Sequence, residues 1–215
     1  MSKTLEALVK THLAWDNRII DTDIEVEVKN SIAKLSGTVP TYLEKKLAEE
    51  DALSLQGILN VDNKLEVARS KYTLLSDREI KNAIENSLLW NTNIDSRNIE
   101  VSVNIGIVTL EGFVDAYWKK LEAEDLAFRT ISVVDVINNL QVKELIKVAD
   151  EVIAKDVKDA LDRSIIDAEH IKIKVEDGVV SLDGTVSNNT EKVYAYDKAA
   201  FTAGVKEVVN NLSVE

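Results

Sequence analysis

Apolar residues recur along this chain in a fixed succession of periods. Leu5, Val9 and Leu13 stand at i, i+4 and i+8, as do Ile80, Ile84 and Leu88, and Ile153, Val157 and Leu161. That spacing gathers each trio on one face of a helix. The period then drops to two. Ile24/Val26/Val28, Ile99/Val101/Val103 and Ile171/Ile173/Val175 alternate with polar residues, the pattern of a half-buried strand. Tight turns are expected near Asn30-Ser31, Ile105-Gly106 and Asp177-Gly178, of which Asp-Gly is the strong hairpin signal. A second alternating strand follows, burying Ala33, Leu35 and Val39, or Val108, Leu110 and Val114, or Val180, Leu182 and Val186.

A second helix comes next. Thr41-x-x-Glu44 reads as a capping box, and Asn188-x-x-Glu191 as a looser one. Ala48/Ala52, Ala123/Ala127 and Ala195/Ala199 recur at i, i+4. Small residues at that spacing leave a shallow groove, expected to lie over an inward glycine of the preceding strand. Gly57, Ser132 and Gly204 fall where a helix C-cap belongs, and a short strand closes each pattern. Asp77 and Asp150 precede two of the first helices, as N-cap residues do.

These patterns are one pattern three times. IEVEVKNSIAKLSGTV (24–39), IEVSVNIGIVTLEGFV (99–114) and IKIKVEDGVVSLDGTV (171–186) align on Gly37, Gly112 and Gly184. Each glycine is followed, without a gap, by a matching terminus ending at Val67, Val142 and Val214. The chain is therefore expected to be α+β, three tandem α-β-β-α-β modules at 1–67, 77–142 and 150–215. Each would be a small three-stranded mixed sheet with two helices on one face. The alternation leaves the strand order open. The joining segments, 68–76 and 143–149, are short and partly apolar, and read as packed on a neighbour.

Composition narrows the chemistry. The absence of cysteine excludes disulfides, thiolate metal sites and cysteine nucleophiles. The formal net charge is −12, spread over all three copies, a field that repels nucleic acid and anionic surfaces. Nothing in the chain reads as a transmembrane segment. MSKTLEALVKTHLAWDN lacks the apolar core of a signal peptide, so the expected location is cytoplasmic, or periplasmic were a leader removed.

The alternating hairpin, the V-x-L-x-G-x-V core (VSLDGTV at 180–186) and closing segments such as VDNKLEV resemble the BON domain, a family named for bacterial osmotic-stress and nodulation proteins. The resemblance spans nearly the whole chain, with copy one the most divergent. It implies a non-catalytic module without cofactor, of a kind commonly envelope-associated and stress-linked, some members binding phospholipid or unfolded protein. Relatives often carry a leader and fewer copies.

Candidate site residues are few. His12 and His170 are not repeat-equivalent and read as surface or core residues rather than ligands. Glu49-Glu50-Asp51 and Glu122-x-Glu124-Asp125 read as solvated helix faces. No phosphate-cradling glycine motif or nucleophile elbow occurs, so Gly37, Gly112 and Gly184 are packing positions. Lys45, Lys120 and Lys192 share one repeat position and read as solvated, with anion binding as the alternative. Trp15 and Trp90 are repeat-equivalent at the end of helix 1, and Trp118 stands near the start of helix 2. All three are candidate contact aromatics, the favoured reading being that they cap module cores or fill contacts between modules. The chain is thus expected to bind or scaffold, without chemistry, in osmotic or general stress. Its partner would be a protein or a phospholipid surface, not nucleic acid, and self-association is left open. A peripheral envelope-binding role is the alternative, and a small-molecule enzyme with an inter-module cleft a third.

Overall fold

The computed structural model describes residues 2–19, 23–68, 75–143, 146–164, 166 and 168–214. Most of the two joining segments' central residues lie outside this set. Copy one comprises α1 (Ser2–Trp15), β1 (Asp23–Lys29), β2 (Ile32–Val39), α2 (Tyr42–Ser54) and β3 (Asn60–Val67). Copy two comprises α3 (Asp77–Trp90), β4 (Ile99–Asn104), β5 (Ile107–Val114), α4 (Tyr117–Phe128), β6 (Asp135–Asn138) and β7 (Gln141–Val142). Copy three comprises α5 (Asp150–Asp162), β8 (Ile171–Glu176), β9 (Val179–Val186), α6 (Asn189–Ala200) and β10 (Glu207–Val214). Contacts divide the chain into two compact units: 1–90 with 101–110 and 124–137, and 91–100 with 111–123 and 138–215.

The strand order that the sequence leaves open is sequential. The sheets run β1-β2-β3, β4-β5-β6 with β7 also on β5, and β10-β9-β8. β1 is antiparallel to β2 and β2 parallel to β3; β8, β9 and β10 repeat this. Each sheet is therefore mixed. In the first unit Val9 and Leu13 of α1, Ala48 and Ala52 of α2, and Val26, Val28 and Leu35 of the sheet share one core. Both helices thus lie on the same face. Ile153, Val157, Leu161, Ala195 and Ala199 occupy the corresponding core in the second unit.

All three hairpins turn alike. Asn30 and Ser31, Ile105 and Gly106, and Asp177 and Gly178 all have positive φ, the two-residue turn whose twist matches the flanking strands. Asp77 and Asp150 do not cap their helices. Ser76 caps α3, its hydroxyl accepting from the Glu79 amide while the Ser76 amide donates to Glu79 Oε2 at 2.8 Å. Ala149 stands at the N-cap of α5, without a side-chain cap. Each aspartate instead accepts from both amides of its module's hairpin turn: Asp77 from Ile105 and Gly106, Asp150 from Asp177 and Gly178, all at 2.8–2.9 Å. The first residue of the helix lies beside the turn, so its carboxylate serves two amides that the hairpin leaves without a backbone partner. Thr41 and Asn188 do cap α2 and α6, each accepting from the amide of the glutamate three residues on.

The repeat glycines have a different cause from the one their pattern suggests. Their φ values are +114°, +115° and +130°, a region open to glycine and costly to other residues. A Cβ there would run into a backbone carbonyl oxygen of the neighbouring strand's start: Asp23, Asn98 and His170 respectively. The nearest obstacles are therefore strand backbone, not the alanine groove of the second helix. Those alanines are themselves fully buried.

Candidate functional site

Trp15 and Trp90 end α1 and α3, each two residues beyond a buried leucine, Leu13 and Leu88. Two residues of helix turn a side chain most of the way to the opposite face, so both rings point away from the core. They are 79% and 82% exposed. The expectation that they cap module cores fails for this reason. Leu8 and Leu89 are exposed on the same two helices.

Trp118 behaves differently. Its ring stacks on Phe201, centroids 6.0 Å apart and planes 12° from parallel. Beside it the buried Tyr117 joins the core of copy three, and its hydroxyl lies 3.0 Å from that of Tyr196. The first turn of α4 thus packs on α6 within the second unit. In the first unit Tyr42, repeat-equivalent to Tyr117, meets Phe128 edge-on at 6.1 Å. Burial, then the charges of Asp135 and Glu124, push the Tyr42 hydroxyl up to about 12.

The acidic run Glu49-Glu50-Asp51 is not wholly a solvated face. The Asp51 side chain is 13% exposed and lies 3.8 Å from Arg18, because the last turn of α2 packs beside the end of α1. Burial raises the Asp51 carboxyl, and the neighbouring Asp16 raises it further. Asp16 is held down at about 2, chiefly by its side-chain hydrogen bonds with Arg18. Glu122 accepts from Asn91, and Asp125 pairs with Arg129. His12 and His170 are exposed, in different units. Among the described residues no cluster of three His, Asp or Glu side chains is placed to hold a metal ion.

Lys45, Lys120 and Lys192 enter the fold through their backbone. Their carbonyls accept from Asn63, Asn138 and Asn210 at 2.9, 2.9 and 3.1 Å. Each asparagine's own side-chain oxygen accepts from the amide two residues on, at Leu65, Leu140 and Leu212. The asparagine thereby ties the second helix to the last strand in every copy. Sequence reasoning assigned it no role, although its fixed distance from the repeat glycine was the available signal. The joint partners Phe128, Tyr196 and Phe201 carried no such signal, because they are not repeat-equivalent.

In copy three, α5 and β8 border an open cleft of 410 Å³. Leu161, Ile171, Ile173 and Ala168 give it an apolar floor, and Lys155 and Lys158 stand along it. No described helix is long and apolar enough to cross a membrane.

Three small α-β-β-α-β modules whose second helices meet through aromatic side chains define a tandem-repeat α+β chain. The BON domain family model matches residues 2–69, 76–144 and 149–215, and the chain belongs to that family. It is 29% identical over 148 residues to osmotically-inducible protein Y of Escherichia coli (strain K12), covering 66% of this chain and 74% of that protein. Among solved structures it is similar to the C-terminal domain of CdsD, a structural protein of the type III secretion system of Chlamydia trachomatis. That match is 14% identical, covers 96% of this chain and 95% of the other, and has a TM-score of 0.28. A periplasmic domain fragment of PrgH, the type III secretion inner membrane protein of S. typhimurium, is 8% identical over 89% of this chain and 99% of that one, with a TM-score of 0.23.

Proposed function

We propose that this chain is a non-catalytic binding protein of the osmotic or general stress response, acting through module surfaces. The observation that carries the reading is the pair of tryptophans at one repeat position, 79% and 82% exposed. Large aromatics are enriched where protein surfaces meet partners. Two of them placed alike on successive copies give a partner two equivalent anchors, and linked anchors raise avidity. Family membership and the osmotic induction named in its relative support the stress assignment. The test is a pull-down from osmotically stressed cells with washes at high salt, using the wild-type chain and Trp15→Ala/Trp90→Ala. A defined partner retained by the wild type and lost from the variant is the expected result. Identical retention by both sinks the role given to the tryptophans.

A second reading, phospholipid binding, draws on the cleft of copy three, where an apolar floor meets Lys155 and Lys158. Co-sedimentation with anionic vesicles that Lys155→Glu/Lys158→Glu abolishes would promote it over a protein partner.

A further inference from the structure

Two carboxylates share one guanidinium where the end of α1 meets the last turn of α2. Asp16 directly follows Trp15 at the end of α1, and Asp51 stands in the last turn of α2. Arg18 commits to Asp16. Its Nε donates to both carboxylate oxygens at 2.9 Å, its Nη2 to Oδ2 at 2.6 Å, and its backbone amide to Oδ1 at 2.9 Å. Toward Asp51 the same Nη2 comes only within 3.8 Å of Oδ1, beyond hydrogen-bond length. Oδ2 of Asp51 is buried and has no hydrogen-bond partner. A buried carboxylate oxygen without a donor is costly, and two adjacent carboxylates that cannot both ionise keep one proton between them.

Among the described residues the charges that face Asp51 are those of Asp16, Arg18 and His12, the last of them one turn before Asp16 on α1. On α2 itself Glu50 acts on Arg18. β2 and β3 also pack on α2, through uncharged core side chains. His12 and Arg18 favour the ionised Asp51, but burial and Asp16 prevail and raise its carboxyl above the ordinary 3.8, while Asp16 is held at about 2. The fold itself asks for neither carboxylate. In copy two the same positions carry Asn91 and Leu126, and copy three has Lys198 in place of Asp51. Asn91 keeps the turn that Asp16 makes: its Oδ1 accepts from the Asn93 amide at 2.9 Å, as Asp16 Oδ1 accepts from that of Arg18. Copy one has therefore added the acidic pair to a turn that forms without charge.

We propose that Asp16 and Asp51 bind one proton between them, Asp51 Oδ2 donating to Asp16, and that this proton is a pH-sensitive latch holding the end of α1, and Trp15 with it, against α2. Loss of the proton leaves two carboxylates to one guanidinium, and their repulsion loosens the end of α1. The stability that Asp51 contributes is complete below 3.8 and is lost as pH rises through its raised folded value; that of Asp16 is present above 3.8 and is lost as pH falls toward about 2. The latch therefore opens on the alkaline side. It stands whether or not Trp15 anchors a partner.

The test is an NMR titration of the aspartate carboxyl carbons in the full chain, with Asp51→Leu and Asp16→Asn to assign the two signals. Asp51 is expected to titrate above 3.8. In Asp16→Asn its midpoint should move to lower pH, because the new amide donates to it and Arg18 is released. Fluorescence of Trp15, isolated by Trp90→Phe/Trp118→Phe, should change at the midpoint of Asp51. That step should vanish in Asp51→Leu, which installs the residue of copy two. An Asp51 signal at or below 3.8 overturns the shared proton. So does a raised signal that Asp16→Asn leaves in place, since burial alone would then hold it. Trp15 emission that ignores the Asp51 midpoint, or keeps its step in Asp51→Leu, overturns the latch.

Discussion

A methyl group added at Gly184 would meet the carbonyl oxygen of His170 while the backbone is held at a φ of +130°. Neither difficulty is relieved by moving a side chain, because both are set by the pairing of β8 with β9. Strain of this kind costs about 1–3 kcal/mol, and overpacking against backbone adds to it. Gly184→Ala is therefore expected to destabilise copy three by at least about 3 kcal/mol. Urea unfolding of a Trp15→Phe/Trp90→Phe background would report it, since the remaining Trp118 stacks on Phe201. The second change Ala195→Gly should not restore stability. Recovery would return the cause to the helix groove. The place of the glycine was legible from the ungapped repeat. Its reason was not, because alternation assigns a face and says nothing about how near the paired strand's carbonyl comes.

Asp77 and Ile105 show the same limit at the scale of elements. The helix-strand-strand-helix-strand order followed from where the apolar period changes, and all three hairpins occur where turn residues interrupt the alternation. An aspartate at the head of a helix normally reads as a cap, whereas Asp77 reaches across to the turn amides of Ile105 and Gly106. That contact joins residues distant in sequence, so no local signal announces it. It holds in place a turn whose first residue is poorly suited to it. Ile105 is β-branched, 67% exposed and at a φ of +52°, where branched side chains are outliers. Asparagine is favoured there before glycine. Ile105→Asn is expected to stabilise the chain by about 0.5–1 kcal/mol through relief of this strain, read as a raised urea midpoint at constant slope. A loss of stability would mean that the Ile105 side chain makes apolar contacts that outweigh its backbone cost.

At the scale of the molecule, the question is whether one copy's stability depends on the next. Tyr117 belongs to α4 of copy two, yet its buried ring is part of the core of copy three. Tyrosines at positions 42 and 117 were visible as repeat-equivalent, but their partners fall at unlike positions, and nothing in a single sequence says which surfaces face each other. In a repeat protein, stability divides into terms within each repeat and terms between neighbours. Tyr117 carries a term between neighbours. Tyr117→Phe keeps the ring and removes one hydroxyl of the pair with Tyr196; it should cost about 1 kcal/mol, the net worth of one hydrogen bond. Tyr117→Ala empties the site and should cost about 3–5 kcal/mol, as large aromatic truncations in cores do. The decisive readout is cooperativity. In the Trp15→Phe/Trp90→Phe background, fluorescence of Trp118 follows the joint, while far-UV circular dichroism follows all three copies. Coupling predicts that the two urea curves lie close together in wild type and in Tyr117→Phe. In Tyr117→Ala the fluorescence change should move to lower urea and separate from the dichroism. If the alanine variant keeps its curves together at the wild-type midpoint, the two copies touch without supporting each other, and the tyrosine serves orientation alone.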